Sequence, residues 1–380
     1  MPDQRYIAVD MGAESGRVMV ATLGSSGVLL HEVHRFSNGP VKAGKTIYWD
    51  ILRLWNEIQA GITRAVADHS GISGIGIDTW GVDFGLLDQN GELITNPVHY
   101  RDARTSGMPE KFFARMPREK VYGITGIQTM ALNTLFQLLA LAQNSPQTLD
   151  RAKHLLFTPD LIVYWLTGQI CNEYTIASTS QMLDAQQRKW SSEILNAIPI
   201  RQSLLPSMIM PGSSCGTVSA DFGQGAGIPV MAVGSHDTAS AAAAVPAQSE
   251  NWLFLSSGTW SLLGTEVDRP VLSPKALEYE LTNEGGVGGK ILLLKNIAGL
   301  WLLQECRRAW AKQGKEFDYR TLVQLAREEP AHTTLLDIDD PAMLAPGDML
   351  LKIVEQCRRT SQQVPDTPGR FTRVILETLA

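Results

Sequence analysis

The chain contains one short unit twice: a strand, a turn of small residues and a second strand. The first copy reads YIAVDMGAESGRVMVATL at residues 6–23, and the second reads WLFLSSGTWSLLGTEV at residues 252–267. Each copy is followed by a candidate third strand, at residues 28–35 and 289–296, and then by apolar residues at helical spacing. Such a repeat predicts two similar α/β domains whose two glycine turns face one cleft.

The segments after the first copy continue this alternation of strands and helices. Asp50 is the predicted N-cap of a helix, because the apolar residues that follow it are spaced three or four apart. Residues 72–78 are predicted to form a fourth strand, residues 134–170 to be mainly helical, and residues 228–234 to form a short apolar strand. The first domain is therefore a three-stranded meander, a helix and a further strand, followed by a helical region.

A length of 380 residues suits two domains, and 44% hydrophobic residues can supply two cores. We place the hinge in AAVPAQSEN, residues 243–251, where the chain is small, polar and contains a proline. This gives an N-terminal domain at residues 1–242 and a C-terminal domain at residues 243–380.

Composition argues against several classes of partner. The net charge of −6 does not favour a nucleic-acid surface. The four cysteines include no CxxC pair and are interpreted as free thiols in a reducing compartment. No signal peptide and no membrane-length apolar segment is visible, so we expect a cytoplasmic protein with no membrane partner.

The turn after Asp10 has the composition of a phosphate-binding loop. Backbone N–H groups in a tight glycine turn suit phosphate oxygens, and an aspartate at a strand end can hold Mg²⁺ through water. The pattern is neither GxxxxGK[ST] nor GxGxxG. The alternative is an ordinary glycine-containing hairpin with a solvated aspartate, and the repeat of the turn at residues 256–258 weighs against it.

Nine motifs make the chain resemble the FGGY carbohydrate kinases, and within that family the kinases of L-rhamnulose. They run in the family's order over nearly the whole chain: AVDMGAESGRVM (8–19), IDTWGVDFGLLD (77–88), YRDARTSG (100–107), GIQTMALNTLFQL (126–138), EYTIASTSQMLD (173–184), VGSHDTASA (233–241), LSSGTWSLLG (255–264), TNEGG (282–286) and LKNIAGLWLLQ (294–304).

The resemblance implies a duplicated actin-like, ribonuclease H-like α/β fold and a reaction. The reaction is transfer of the γ-phosphoryl group of ATP to the 1-hydroxyl of L-rhamnulose, with Mg²⁺. The implied partners are a small sugar and a nucleotide, and the oligomeric state is left open. Two alternatives remain: a kinase for a related ketose or polyol, and a non-catalytic remnant of the family.

The resemblance also assigns roles on the sugar side. Asp237 matches the general base that takes the proton of the attacking hydroxyl; the alternative is that Asp237 or Thr238 only caps the following helix. The other predicted sugar contacts are His236, Thr238, Gly81, Asp83 and Asn296. Gly81 would let the backbone approach a hydroxyl, and Asp83 would accept hydrogen bonds from vicinal hydroxyls unless it is merely a solvent-facing strand residue.

On the nucleotide side, the resemblance implies contacts by Ala13, Glu14, Ser15, Gly16, Arg17, Thr259 and Gln304. Arg17 could meet a phosphate, although a surface strand position is the alternative. Glu14 departs from the family pattern, in which a small uncharged residue is expected at this position. A carboxylate there would repel the phosphates. Asp10 is the predicted ligand of Mg²⁺, through water.

The chain also departs from the family at its end. After the third strand and helix of the second unit, the sequence is mostly helical or irregular, and it stops inside the amphipathic pattern GRFTRVILETLA. The family's next segment is a strand leading to a glycine-rich loop that holds the adenosine. We therefore expect the second domain to be incomplete and the activity of this chain to be low.

Overall fold

The computed structural model describes residues 3–25, 27–344 and 347–380. Its strands are β1 (Gln4–Met11), β2 (Ser15–Gly24), β3 (Gly27–Ser37), β4 (Pro40–Ala43), β5 (Thr46–Trp49), β6 (Ile72–Thr79), β7 (Phe84–Leu87), β8 (His154–Phe157), β9 (Asn172–Glu173), β10 (Leu183–Asp184), β11 (Lys189–Trp190), β12 (Met208–Ile209), β13 (Ser214–Thr217), β14 (Pro229–Met231), β15 (Phe254–Ser257), β16 (Ser261–Val267), β17 (Thr282–Gly285) and β18 (Ile291–Ile297).

Its helices are α1 (Ile51–Asp68), α2 (Met108–Phe113), α3 (Arg118–Thr125), α4 (Thr134–Asn144), α5 (Pro146–Arg151), α6 (Thr158–Thr167), α7 (Tyr174–Ser178), α8 (Ser192–Asn196), α9 (Asp237–Ala243), α10 (Pro274–Glu278), α11 (Trp301–Lys312), α12 (Tyr319–Glu328), α13 (Pro341–Leu344), α14 (Met349–Arg359) and α15 (Pro368–Leu379). Among the described residues, no helix is both long enough and apolar enough to span a bilayer.

The chain divides into two compact units. Unit 1 comprises Met1–Phe254 and Gly264–Lys295, and unit 2 comprises Leu255–Leu263 and Asn296–Ala380. The chain thus crosses between the units inside β15, β16 and β18. The single boundary predicted near residue 243 stays a prediction, because it refers to sequence domains rather than to these compact units.

Unit 1 is built on a six-stranded sheet with the strand order β13-β14-β6-β1-β2-β3. The meander β1-β2-β3 is antiparallel, and β6 pairs parallel to β1. The parallel register sets Asp10 beside Asp78, and the antiparallel register sets Asp10 opposite Arg17. The predicted three strands, helix and fourth strand are confirmed in this order, but the hairpin β4-β5, which was not predicted, lies between β3 and α1.

Helix α1 covers one face of this sheet. The side chain of Asp50 accepts a hydrogen bond from the N–H of Arg53, so the predicted N-cap is confirmed. A Cβ atom at Gly61 would lie 2.4 Å from Cγ2 of Val18, which shows how closely the helix approaches β2.

The prediction that residues 134–170 are mainly helical is confirmed, but it did not include a strand in this segment. β8 interrupts the helices there and pairs antiparallel with β7, with Phe84 opposite Phe157. Both strands are almost entirely buried, so this long-range pairing overrides the helical pattern on either side of β8. The strand predicted at residues 228–234 is also shorter than expected, since β14 spans only Pro229–Met231.

The second sheet has the strand order β15-β16-β18-β17, which repeats the order β1-β2-β3 and adds one strand. Helix α11 then follows β18, as the sequence repeat predicts. The apolar residues of α11 form the core of unit 2 with residues of α12, α14 and α15. The described residues after β18 contain helices and no strand, as the sequence pattern indicates.

Candidate active site

The first glycine turn joins β1 to β2 and is held from behind by Asn38. Ala13 and Glu14 lie in the turn, and Ser15 is the first residue of β2. The N–H of Gly12 donates to the carbonyl of Ser15 at 2.9 Å, and the amide of Asn38 donates to the carbonyl of Gly12 at 2.8 Å. The turn is therefore a fixed loop.

Gly16 is needed for close packing behind this turn. A Cβ atom there would lie 2.4 Å from the ring of Phe36, which is buried on β3. Arg17 is exposed and its Nε donates to Oδ2 of Asp10 at 2.8 Å. The guanidinium predicted to meet a phosphate is thus an ion-pair partner of the predicted metal ligand.

Three aspartates lie at the ends of elements of unit 1 and interact electrostatically: Asp10 on β1, Asp78 on β6 and Asp237 at the start of α9. Burial raises the pKa of Asp78 well above its ordinary value, and the charges of Asp10 and Asp237 raise it further. Burial also raises the pKa of Asp237, partly opposed by His236. Because these carboxyls repel one another when ionised, a positive charge beside them would stabilise their ionised forms.

The segment that carries Asp237 is docked onto β6. The N–H of Thr79 donates to the carbonyl of Ser235 at 2.9 Å, and Thr79 forms a parallel bridge with His236. Asp237 keeps 36% of its side chain exposed, and its Oδ1 accepts the N–H of Thr238 at 2.7 Å. Asp237 therefore has one oxygen available for a ligand.

The alternative that Asp237 or Thr238 is the N-cap of α9 is wrong. The N-cap of α9 is His236, without a side-chain capping bond, and Asp237 is already the first helical residue. In the described part of the chain, Asp237 accepts hydrogen bonds from the N–H and the hydroxyl of Thr238, and no side chain caps the helix. Taking Asp237 as the cap therefore predicts the start of α9 one residue too late.

His236 lies between two carboxylates. Its Nδ1 is 3.2 Å from Oε2 of Glu284, and its Nε2 is 3.5 Å from Oδ1 of Asp237. Burial lowers the pKa of His236, but the interactions with Glu284 and the charges of Asp237 and Glu173 together outweigh burial and raise that pKa to about 9. The imidazole is therefore a cation at neutral pH.

Gly81 and Asp83 follow β6, but they have different surroundings. A Cβ atom at Gly81 would lie 3.2 Å from Cγ2 of Thr179, so the backbone of Gly81 packs closely against Thr179. Asp83 is fully buried and does not face solvent. Its oxygens accept four hydrogen bonds, from the side chains of Trp49, Trp80 and Gln137 and from the N–H of Tyr100.

These hydrogen bonds connect Asp83 to side chains and backbone from several segments of unit 1. Burial raises the pKa of Asp83 to about 6, although the indole and amide donors oppose the shift. Trp80 is also buried and its ring lies 4.1 Å from that of Trp49. Asp83 therefore fixes the residues around it, and its predicted direct contact with a sugar remains a prediction.

In unit 2, the second glycine turn lies against the start of α11. The N–H of Trp301 donates to the carbonyl of Thr259 at 3.1 Å, and Nε2 of Gln304 donates to Oγ1 of Thr259 at 3.3 Å. The two predicted nucleotide contacts of this unit are thus neighbours. Asn296, the predicted sugar contact, lies half-buried near the end of β18.

Sequence reasoning missed Asp78, Glu173 and Glu284 as parts of the site. Glu173 is the N-cap of α7, and its Oε2 accepts the N–H of Ser235 at 3.2 Å. A signal existed for Asp78, which ends a strand as Asp10 does, and for the glutamates, which lie in two of the quoted motifs. Their contacts with His236 and Ser235 join segments far apart in sequence, which no local pattern reveals.

Two models of one family match almost the whole chain. The model of the FGGY family of carbohydrate kinases, N-terminal domain, matches residues 5–244, and the model of its C-terminal domain matches residues 253–380. The chain therefore belongs to the FGGY family of carbohydrate kinases.

Several curated relatives of the chain are rhamnulokinases. The chain is 44% identical to the rhamnulokinase of Bacteroides thetaiotaomicron over 99% of its own length and 78% of that relative's length. It is 42% identical to the rhamnulokinase of Pectobacterium atrosepticum, with 100% and 76% of the two chains covered.

Solved structures of other sugar kinases share the fold. A ligand-bound xylulose kinase from Lactobacillus acidophilus aligns with a TM-score of 0.78 at 18% identity, covering 99% of this chain and 76% of that one. A glycerol kinase from Plasmodium falciparum with ADP aligns with a TM-score of 0.74 at 17% identity, with the same coverage. The predicted two-domain sugar-kinase fold is confirmed; whether the second domain is incomplete stays a prediction.

Proposed function

We propose that this chain is an ATP-dependent kinase that transfers the γ-phosphoryl group to the 1-hydroxyl of L-rhamnulose. The observation that carries the proposal is the identity of 37–44% to rhamnulokinases over nearly the whole chain. The product would be L-rhamnulose 1-phosphate, as in the catabolism of rhamnose.

Asp237 is proposed as the general base. Its carboxylate takes the proton of the 1-hydroxyl while that oxygen attacks the γ-phosphorus and ADP leaves. Two features support this role: the Asp237 side chain is partly exposed, and burial raises its pKa, which strengthens it as a base. The cationic His236 beside it stabilises the ionised form that accepts the proton.

The sugar contacts are proposed to come from His236, Thr238, Gly81 and Asn296, with Asp83 as a further candidate. His236 and Thr238 flank Asp237 and are both almost completely buried. Asp83 already accepts four hydrogen bonds, so a sugar hydroxyl would compete with a donor that is in place.

The nucleotide contacts are proposed separately for the two units. In unit 1 they are the turn residues Ala13 and Glu14 and the first residues of β2, Ser15, Gly16 and Arg17. In unit 2 they are Thr259 and Gln304, which hydrogen-bond each other. The nucleotide is ATP, since sugar kinases in general use ATP.

Asp10 is proposed to hold Mg²⁺ through water. The side chain of Asp10 is partly exposed, and Asp10 lies beside the partly buried Asp78 in the parallel register of β1 and β6. Mg²⁺ typically keeps its waters and binds one or two carboxylates together with phosphates. When bound, it would neutralise charge on the phosphate oxygens.

The experiment is a coupled assay of ADP release with L-rhamnulose and ATP, followed by ³¹P NMR of the product. We expect sugar-dependent ADP release and a phosphorus signal coupled to the protons of C1. A product phosphorylated elsewhere, or ADP release that does not depend on sugar, would contradict the proposal. The cytoplasmic location predicted from the sequence stays a prediction.

A further inference from the structure

The contact between Glu284 and His236 involves two buried atoms with no competing partner. Nδ1 of His236 and Oε2 of Glu284 are 3.2 Å apart, an ion-pair distance, and in the described part of the chain neither atom forms a hydrogen bond of standard geometry with any partner. Only 5% of Glu284 and 6% of His236 are exposed. Because buried polar atoms need a partner, each of these two side chains restricts the other.

The backbone of Glu284 is fixed on both sides. Within β17 it lies opposite Leu292 of β18. The next residue, Gly285, donates its N–H to Oγ of Ser178 at 2.7 Å, and the preceding Asn283 donates from its amide to the carbonyl of Gly126 at 3.0 Å. The carboxylate therefore reaches His236 from a rigid strand.

The main chain of His236 is held by other segments. Its N–H donates to Oγ1 of Thr175 at 3.1 Å, and its bridge to Thr79 ties it to β6. The ring torsions are not determined by these backbone contacts. The ring itself contacts Glu284 through Nδ1 and Asp237 through Nε2.

We propose that Glu284 is a positioning residue of the kinase reaction, which orients the His236 ring so that Nε2 faces the carboxylate of Asp237. This inference rests on the proposed function and extends it to a residue outside the contacts assigned above. The logic is that of a base oriented by a buried carboxylate, with His236 as the intermediate.

The charges around the ring favour the same arrangement. The groups that face His236 are Glu284 on β17, Asp237 on α9 and Glu173 at the start of α7, and all three carboxylates raise the pKa of the imidazole. Removing the charge of Glu284 therefore both frees the ring and lowers its positive charge beside Asp237.

The first test compares Glu284→Gln with Glu278→Gln, which changes an exposed glutamate of the same unit. We expect Glu284→Gln to lower kcat by about tenfold or more, with the KM for L-rhamnulose changed by less than about threefold. The control should match the wild type. An unchanged kcat in Glu284→Gln would overturn the proposal.

The second test repeats Glu284→Gln in a His236→Asn background. If Glu284 acts through His236, its substitution should lower kcat by less than about twofold there. An equal loss of kcat in both backgrounds would show that Glu284 acts by another route, such as general stability. Should Glu284→Gln fail to fold, Glu284→Asp carries the same comparison, because it shortens the side chain and keeps the charge.

The third test does not depend on activity. NMR titration of ¹⁵N-labelled histidine in the full chain should show a lower pKa for His236 in Glu284→Gln than in the wild type, by about one unit or more. An unchanged His236 titration would overturn the contact itself. A wild-type protein inactive on L-rhamnulose would instead refute the proposed function, so the two failures are distinguishable.

Discussion

Asp237 is a residue in which burial and charge act in opposite directions. Burial and the nearby Asp10 raise its pKa, whereas the cation of His236 and the N–H of Thr238 favour its ionised form. The proposed role of Asp237 needs both effects, since a general base must be ionised to accept a proton and a raised pKa strengthens it as a base.

Replacing Asp237 by Asn should therefore remove the base and keep the shape. We expect kcat to fall by roughly 10²- to 10⁴-fold, while the affinity for L-rhamnulose changes little. Steady-state kinetics and calorimetry with the sugar would measure both quantities. Asp221→Asn, which changes an exposed aspartate of unit 1, is the control. Near-normal turnover in Asp237→Asn would exclude the proposed base.

Single residues also show where sequence reasoning reached its limit. The start of α1 follows from Asp50 and an apolar period, because both signals are local. Family motifs gave Asp237 a role, but they did not reveal that Glu284 contacts its neighbour His236. Such contacts depend on how distant strands pack, which a single sequence does not specify.

Among the elements, the junction of β9 and α7 holds the segment of the proposed base. Glu173 caps α7 by accepting the N–H groups of Thr175 and Ile176, and it also accepts the N–H of Ser235. Burial raises the pKa of Glu173 to about 7, although these donors oppose the shift. This element carries a carboxyl group that is protonated more readily in the folded chain than in the unfolded one.

This shift predicts a pH-dependent contribution to stability. Since the folded pKa lies above the unfolded value of about 4.3, Glu173 favours folding most at low pH and loses this contribution as the pH rises toward 7. Relative to Glu173→Gln, the wild type should lose on the order of 3 kcal/mol between about pH 4 and pH 8.

Urea unfolding of both proteins at several pH values would measure the difference. Glu110→Gln, at an exposed position of α2, should show no such trend relative to the wild type. A stability difference between Glu173→Gln and the wild type that is constant with pH would refute the assigned shift.

The elements differ in how well sequence could predict them. The repeated hairpins, α1 and α11 follow from local periodicity, and they are confirmed. β7 and β8 pair across about seventy residues, and β8 lies between helices, so its identity depends on a partner that local patterns do not contain. The short strand β14 likewise exists because β6 lies beside it.

For the whole molecule, the central feature is a duplicated unit, and residues of both copies are proposed to contact the nucleotide. Unit 1 contains the proposed base and most of the proposed sugar contacts, and Thr259 and Gln304 lie in unit 2. Gly81→Val and Thr259→Ala should therefore have opposite kinetic signatures.

Gly81→Val should raise the KM for L-rhamnulose by about tenfold or more, because the new side chain would collide with Thr179. Thr259→Ala removes the hydrogen bond from Gln304 and should raise the KM for ATP by roughly fivefold. In each variant the KM of the other substrate should stay nearly constant. Normal sugar binding in Gly81→Val would show that Gly81 is wrongly assigned to the sugar site.

The measurement that tests the central claim most directly is the kcat/KM of this chain for a panel of substrates. The panel contains L-rhamnulose and the compounds in the names of the structural relatives: xylulose, gluconate and glycerol. We predict that kcat/KM for L-rhamnulose exceeds every other value by about 100-fold or more. An equal or higher kcat/KM for any other member of the panel would contradict the assignment.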